Sequence, residues 1–184
     1  PARSAALDFG CGAGRLTQAL ARRFDRADGV DIAASMIALA EEHNPDSSRA
    51  VFHLNERADL SLFEDASFDL VLSVVVLQHM NNSLKESYLR EFFRVLRPGG
   101  VALFTVPSHA DLSVSGLARR MPNALQNVYR RRRHGYDSVM EFYPMRRRKV
   151  EAAIARAGCT VTAVVDDPMA GPPWHSFLYV VRKP

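Results

Sequence analysis

Residues 6 to 15 read Ala6-Leu7-Asp8-Phe9-Gly10-Cys11-Gly12-Ala13-Gly14-Arg15, an apolar strand closed by an acid and then a turn with glycine at every second position. Leu16-Thr17-Gln18-Ala19-Leu20 follow as the first turns of a helix. A backbone without Cβ atoms can pass through left-handed conformations and let a ligand lie directly on the main chain. The pattern therefore predicts a strand–turn–helix unit able to cradle a cofactor. A dinucleotide turn needs a third glycine where Arg15 stands, and a Walker-type phosphate loop ends in Gly-Lys-Ser/Thr, which is missing here. Taken alone, the motif fits an ordinary glycine-rich turn equally well.

Hydrophobic periodicity places strands near 5–9, 27–31, 50–54, 69–76, 100–106, 159–166 and 176–182, with helices in most gaps. This alternation predicts an α/β protein with a mostly parallel sheet covered on both faces. Ser83 with Glu86 three residues on reads as a capping box for a helix after Asn82, with Tyr88, Leu89, Phe92, Phe93 and Leu96 as its buried stripe and Pro98-Gly99-Gly100 as its stop. Val150, Ile154 and Ala157 predict a second helix closed by Gly158. The last two strands are close enough to pair as a hairpin through 167–173. At 184 residues the chain fits one domain, and its 47% hydrophobic and 24% charged content is that of a globular protein. No apolar run approaches the ~20 residues of a membrane helix. Cys11 and Cys159 lie in different elements and suggest neither a disulfide framework nor a zinc site, so a reducing, cytoplasmic setting and no metal are expected.

The spacing Asp8-x-Gly10-x-Gly12-x-Gly14 resembles the first motif of class I S-adenosylmethionine-dependent methyltransferases, and three later stretches resemble that family in order. Ala27-Asp28-Gly29-Val30 runs into Asp31, where a doubly wound sheet places the acid that accepts from ribose hydroxyls. Ser67–Ser73 resembles the fourth strand, and Phe93–Gly100 the helix end and turn before the fifth. The resemblance covers residues 5 to 107 and implies a Rossmann-like, doubly wound seven-stranded sheet, mostly parallel with an antiparallel last strand. It divides a single domain into a cofactor-binding half (1–107), a substrate-side insertion (108–143) and a helix with terminal hairpin (144–184). Family members carry a helical segment ahead of the first strand, so a longer natural chain is expected.

The resemblance implies S-adenosyl-L-methionine as cofactor and methyl transfer to an oxygen, nitrogen or carbon nucleophile of a small-molecule acceptor. It assigns Asp8, Phe9, Gly10, Gly12, Gly14 and Arg15 to the turn, Asp31 to the ribose hydroxyls, Ile32 to the adenine ring, and Ser73 and Val74 to the methionine tail. After the third strand the family places an acid toward the adenine amino group. Glu56, followed by Arg57, fits that position best, with Asp59 the alternative. Cys11 has no base beside it and is expected to fill space rather than attack.

His79, after Gln78, could serve as a base or hold the loop after the fourth strand, and the loop role is favoured. His109, His134, Tyr136, Glu141, Tyr143 and His175 are the other titratable candidates on the substrate side, of which His109 and Tyr143 join His79 as catalytic candidates. Trp174 is expected to anchor the final hairpin. Arginine runs at 119–120, 130–133 and 146–148, the last extended by Lys149, contrast with a net charge of only +4. They could meet phosphate, coenzyme A, an acidic carrier or RNA, but no aromatic platform accompanies them, so a small acceptor is ranked above nucleic acid. A methyltransferase acting on RNA or protein, or a cofactor-binding partner protein without activity, are the alternatives. Val75-Val76-Leu77-Gln78 stands where an Asn-Pro-Pro-Tyr tetrapeptide would mark methylation of DNA bases or glutamine.

Overall fold

The computed structural model describes residues 3–119 and 141–184. Seven strands, β1 (Ala5–Phe9), β2 (Arg26–Asp31), β3 (Ala50–Leu54), β4 (Phe68–Ser73), β5 (Leu96–Ala110), β6 (Thr160–Asp167) and β7 (Trp174–Arg182), form one sheet in the order β3-β2-β1-β4-β5-β7-β6. The first five are parallel, and β7 runs antiparallel between β5 and β6. The order reverses between β1 and β4. In open α/β sheets that switch point, outside the carboxyl ends of the strands, is where ligands lie.

Helices α1 (Arg15–Ala21), α2 (Ala34–Glu42), α3 (Asn82–Val95), α4 (Val114–Arg119) and α5 (Arg147–Arg156) link the strands. Two apolar clusters result. Under α1 and α2, the residues Ala21, Ala27, Ile37, Ala40, Ala50 and Phe52 close one face of β2 and β3. On the other side α3 and α5 bury Leu89, Phe92, Val150 and Ile154 with Val71, Phe104, Tyr179 and Val181 of the sheet. The opposite face of β4, β5, β7 and β6 is less covered: Leu70, Leu72, Val101, Leu103, Leu178 and Val180 are half-buried and Val165 is exposed.

The ends of α3 differ from the expected ones. Its cap is Asn81, whose side chain accepts from the Leu84 amide at 2.9 Å, and Ser83 donates to the same Asn81 oxygen instead of capping. The helix stops at Val95, because Leu96 is already extended and pairs with Phe68. Proline disfavours helix at the residue before it, so Pro98 acts on Arg97 rather than on the helix itself. Lys183 reaches in from the C-terminal segment to donate to the Phe93 and Leu96 carbonyls, both at 2.7 Å, supplying the cation that a helix end favours. At the end of α5 the expected glycine stop is present as a Schellman turn. Gly158, at φ 72, donates to Ala155 O and Cys159 donates to Ile154 O.

Candidate functional site

Asp8 is buried on β1, next to its last residue Phe9, and accepts from Thr17 Oγ1 at 2.7 Å. Burial pushes its carboxyl up to about 6, and neighbouring Asp31 adds to the effect. The chain then turns with Gly10, Gly12 and Gly14 all at positive φ, and the Gly10 and Cys11 amides both donate to Val30 O of β2. The three glycines serve different needs. A Cβ on Gly10 would lie 2.4 Å from a Val76 methyl, and one on Gly14 would lie 2.5 Å from the Phe52 ring. A Cβ on Gly12 would meet no atom of the described residues within 4 Å. Thus two glycines allow packing, and Gly12 alone borders open space.

Asp31 faces that space from the end of β2. One carboxylate oxygen accepts from the Gly12 amide and the other from the Ala33 amide, both at 2.9 Å, so the acid ties the glycine turn to the start of α2 while its remaining lone pairs stay available. Ile32 beside it is 71% exposed, an apolar side chain left in solvent just past the carboxyl end of β2. Leu54, across from Asp31 on β3, is also exposed.

After β3 the chain is shaped by Asn55, which sequence reasoning passed over. Its amide side chain accepts from the Arg57 amide and donates to Asp59 O, while its own N–H donates to Asp31 O. This loop presents Glu56 to solvent, whereas Asp59 accepts from the Ser61 amide at the surface. Arg57 lies along the loop toward Ser61, and its carbonyl accepts from Tyr88.

The side chains of Phe9 and Ser73, both expected at the cofactor, are buried. Phe9 points into the core, with ring centroids 4.6 Å from Tyr88 and 5.0 Å from Phe92. Ser73 is fully buried and its hydroxyl has no partner among the described residues. A ligand could meet only the backbones of these two residues. Arg15 is exposed at the start of α1, and Val74 is half-buried at the end of β4. The strand stops at Ser73, short of the expected 76, because Val75 adopts φ 63 and turns the chain out of the sheet. Cys11 lies half-buried in the turn, and burial beside two acids pushes its thiol up to about 12, which leaves it inert at neutral pH.

On the other side of the cleft a short segment returning from residues 120–140 crosses the carboxyl ends of β4 and β5. Tyr143 N donates to Gln78 O, Met145 N to Pro107 O and Arg147 N to Ser108 Oγ. His79 is held here through both ring nitrogens. Nδ1 faces Glu141 O at 3.0 Å and must carry the proton, because a carbonyl only accepts, while Nε2 lies 3.1 Å from the Gln78 amide nitrogen and accepts from it. That arrangement is one of loop support.

The Tyr143 hydroxyl donates to the Glu141 carboxylate, and the Tyr143 carbonyl accepts from Lys85. Lys85 was not singled out by sequence, yet it is wholly buried on α3, and burial lowers its ammonium to about 8. His109 stands apart on β5, stacked on His175 of β7 at 4.8 Å. Phe142 stacks on Trp174 at 4.3 Å, so the tryptophan anchors the hairpin to the crossing segment. His134, Tyr136, Arg120 and Arg130–Arg133 lie outside the described residues. Arg146–Lys149 are exposed where α5 opens, with Arg147 paired to Glu151. Among the described residues no cluster of three or more His, Cys, Asp or Glu side chains could hold a metal, and no helix is long and apolar enough to cross a membrane.

Known proteins share this arrangement. The methyltransferase domain profile matches residues 7–104. A ubiquinone biosynthesis O-methyltransferase of Xanthomonas campestris is 31% identical over 124 residues, covering 63% of this chain and 51% of that protein. Ajmaline N-methyltransferase of Rauvolfia serpentina is 30% identical over 113 residues, covering 59% of this chain and 38% of its own length. The chain therefore spans about half the length, or less, of these relatives. Among solved structures, phosphoethanolamine N-methyltransferase 2 of Haemonchus contortus, in complex with S-adenosyl-L-methionine, superposes over 100% of this chain and 49% of its own with a TM-score of 0.74 at 20% identity. An S-adenosylmethionine-dependent methyltransferase of Methanosarcina mazei gives the same score and identity over 94% of its chain. At such identities these two structures speak to the fold.

Proposed function

The chain belongs to the methyltransferase domain family, and from that premise we propose that it binds S-adenosylmethionine over Gly12 and Asp31 and transfers its methyl group to a nucleophile on a small molecule. The carrying observation is the open space beside Gly12, bordered by the Asp31 carboxylate and the exposed Ile32. Residues 1–107 form the cofactor half in this reading. Asp31 accepts from the ribose hydroxyls, Ile32 lies against the adenine, and Glu56 is placed to accept from the adenine amino group. The ionised Asp8 sets a negative potential beneath the turn, which suits a cationic ligand. The backbones of Phe9, Ser73 and Val74 line the floor.

When bound, S-adenosylmethionine would supply a sulfonium whose methyl is already electrophilic, passed to the acceptor's O, N or C as the carbon–sulfur bond breaks, with the acceptor's proton released and S-adenosylhomocysteine left. The protein's work is alignment and exclusion of water, and such positioning can supply ~7 to 11 kcal/mol without a strong catalytic group. His79, with both nitrogens engaged, holds the crossing segment in place; Tyr143 and His109 are the side chains nearest to a base role on the acceptor side. The two free thiols fit a cytoplasmic enzyme. Titration calorimetry with S-adenosylmethionine and S-adenosylhomocysteine tests the reading. Saturable binding is expected, and Asp31→Ala should weaken it about tenfold or more, since a hydrogen-bonded charge is lost; unchanged affinity would remove Asp31 from the site.

A further inference from the structure

Beyond β4 the chain runs through three valines, and the middle one is out of place. Val75 has φ 63, a left-handed conformation that a β-branched residue adopts only when its surroundings impose it. Its half-buried amide donates to Thr105 Oγ1 at 2.9 Å. Thr105 sits on β5 and is 4% exposed. The next side chain, Val76, occupies the space left by the missing Cβ of Gly10. The Val76 carbonyl then accepts from His79 N at 3.0 Å, opening the single turn Leu77–His79 that carries Gln78 and His79 to the crossing segment. The path of the chain at Val75 thus fixes two things together: how the glycine turn of β1 is packed, and where the acceptor side begins.

We infer that Thr105 is a positioning residue for the cofactor site, its hydroxyl holding Val75 in the left-handed conformation that seats Val76 against Gly10. The inference rests on the reading of that turn as the S-adenosylmethionine site. Thr105 never reaches the ligand; it acts through Val75 and Val76. Valine at 105 would keep the shape of the side chain and remove the acceptor, leaving the Val75 amide without its partner. Serine would keep the acceptor. Glycine at 75 adopts the same φ without strain, so the hold from Thr105 becomes unnecessary.

The test uses the full chain as Thr105→Val, Thr105→Ser, Val75→Gly and the double variant Thr105→Val/Val75→Gly, each measured by calorimetric titration with S-adenosylhomocysteine and by urea unfolding. Thr105→Val should weaken binding about tenfold, the order expected for a lost buried hydrogen bond. Thr105→Ser should bind within about twofold of wild type. In the Val75→Gly background the Thr105→Val change should cost much less affinity than in wild type, because glycine keeps the left-handed turn, while its cost in unfolding midpoint persists, because the residue-75 amide still lacks an acceptor. Additive effects on affinity, or a Thr105→Val variant equal to wild type, would overturn the inference. Should Thr105→Val fail to fold, Thr105→Ser decides: affinity within about twofold of wild type supports it, and a larger loss overturns it. A wild-type protein that binds no S-adenosylhomocysteine refutes the cofactor reading alone; the unfolding midpoints of Thr105→Val and Thr105→Ser then still decide whether the hydroxyl holds Val75.

Discussion

Replacing Gly12 and Gly14 one at a time with alanine separates packing from ligand binding. Both residues have positive φ, 52° and 79°, so alanine costs about 1–2 kcal/mol at either. At Gly14 the new methyl would stand 2.5 and 2.6 Å from Phe52 ring atoms and 3.0 Å from Ala40 Cβ. Phe52 is 8% exposed and Ala40 fully buried, so neither can retreat freely, and overpacking of this kind adds about 1–3 kcal/mol. Gly14→Ala should therefore lose about 2–5 kcal/mol, a large share of the ~5–15 kcal/mol that holds a typical domain. At Gly12 the methyl meets no atom of the described residues within 4 Å, so the loss stays near the backbone figure. The same methyl projects into the space proposed for the cofactor, and affinity for S-adenosylhomocysteine should fall at least about tenfold, or ~1.4 kcal/mol. Urea unfolding followed by far-ultraviolet circular dichroism gives the first quantity and titration calorimetry the second. Equal destabilisation by the two variants, or wild-type affinity in Gly12→Ala, would refute the division of labour among the glycines.

Two buried charges give opposite pH signatures. Asp8 is raised from 3.8 to about 6, so the folded state holds its proton more tightly; the stability this contributes is complete below pH 4 and is lost as pH rises through 6, about 3 kcal/mol in all. Asp8→Asn keeps an acceptor for Thr17 and should raise the urea midpoint at pH 7 while removing that fall, and an equally steep fall between pH 4 and 6 in the variant would contradict the assignment. Lys85 is lowered from 10.5 to about 8, so the unfolded state binds its proton more tightly and stability from this group increases between pH 8 and 10.5, again by about 3 kcal/mol. Thermal unfolding of wild type minus Lys85→Met over that range should show the increase, and parallel curves would show that Lys85 is hydrated in the folded protein.

Much of the sheet could be read from the sequence because β1 to β4 are short apolar runs bounded by acids, glycines or polar loops, and that pattern is local. β3 was expected at 50–54 and is found there. Less legible were features that depend on a partner far along the chain. Leu96 leaves α3 to pair with Phe68, which no propensity of the helix foretells. The run from Leu70 to Leu77 looks like one strand by hydrophobicity alone, yet it breaks at Ser73, where Thr105 captures the next amide but one. Lys85 and Lys183 carry no local signal of their roles, yet one is buried beneath the Tyr143 carbonyl and the other closes α3 from the opposite end of the sequence. The Gly10-x-Gly12-x-Gly14 spacing announced a cradle, while the separate duties of its glycines depend on Val76 and Phe52, residues remote in sequence.

The stacking of Phe142 on Trp174 gives the protein an optical handle. Trp174 is the chain's one tryptophan, so its emission, selected by exciting at the red edge of aromatic absorption, comes from a single known place. That place is where β7 pairs with the end of β5 and meets the segment returning from residues 120–140. Emission wavelength and quenching by dissolved acrylamide or iodide then read the packing of the crossing segment directly, with no label attached. Changes confined to the glycine turn, on the far side of the switch point, leave that signal as a separate channel.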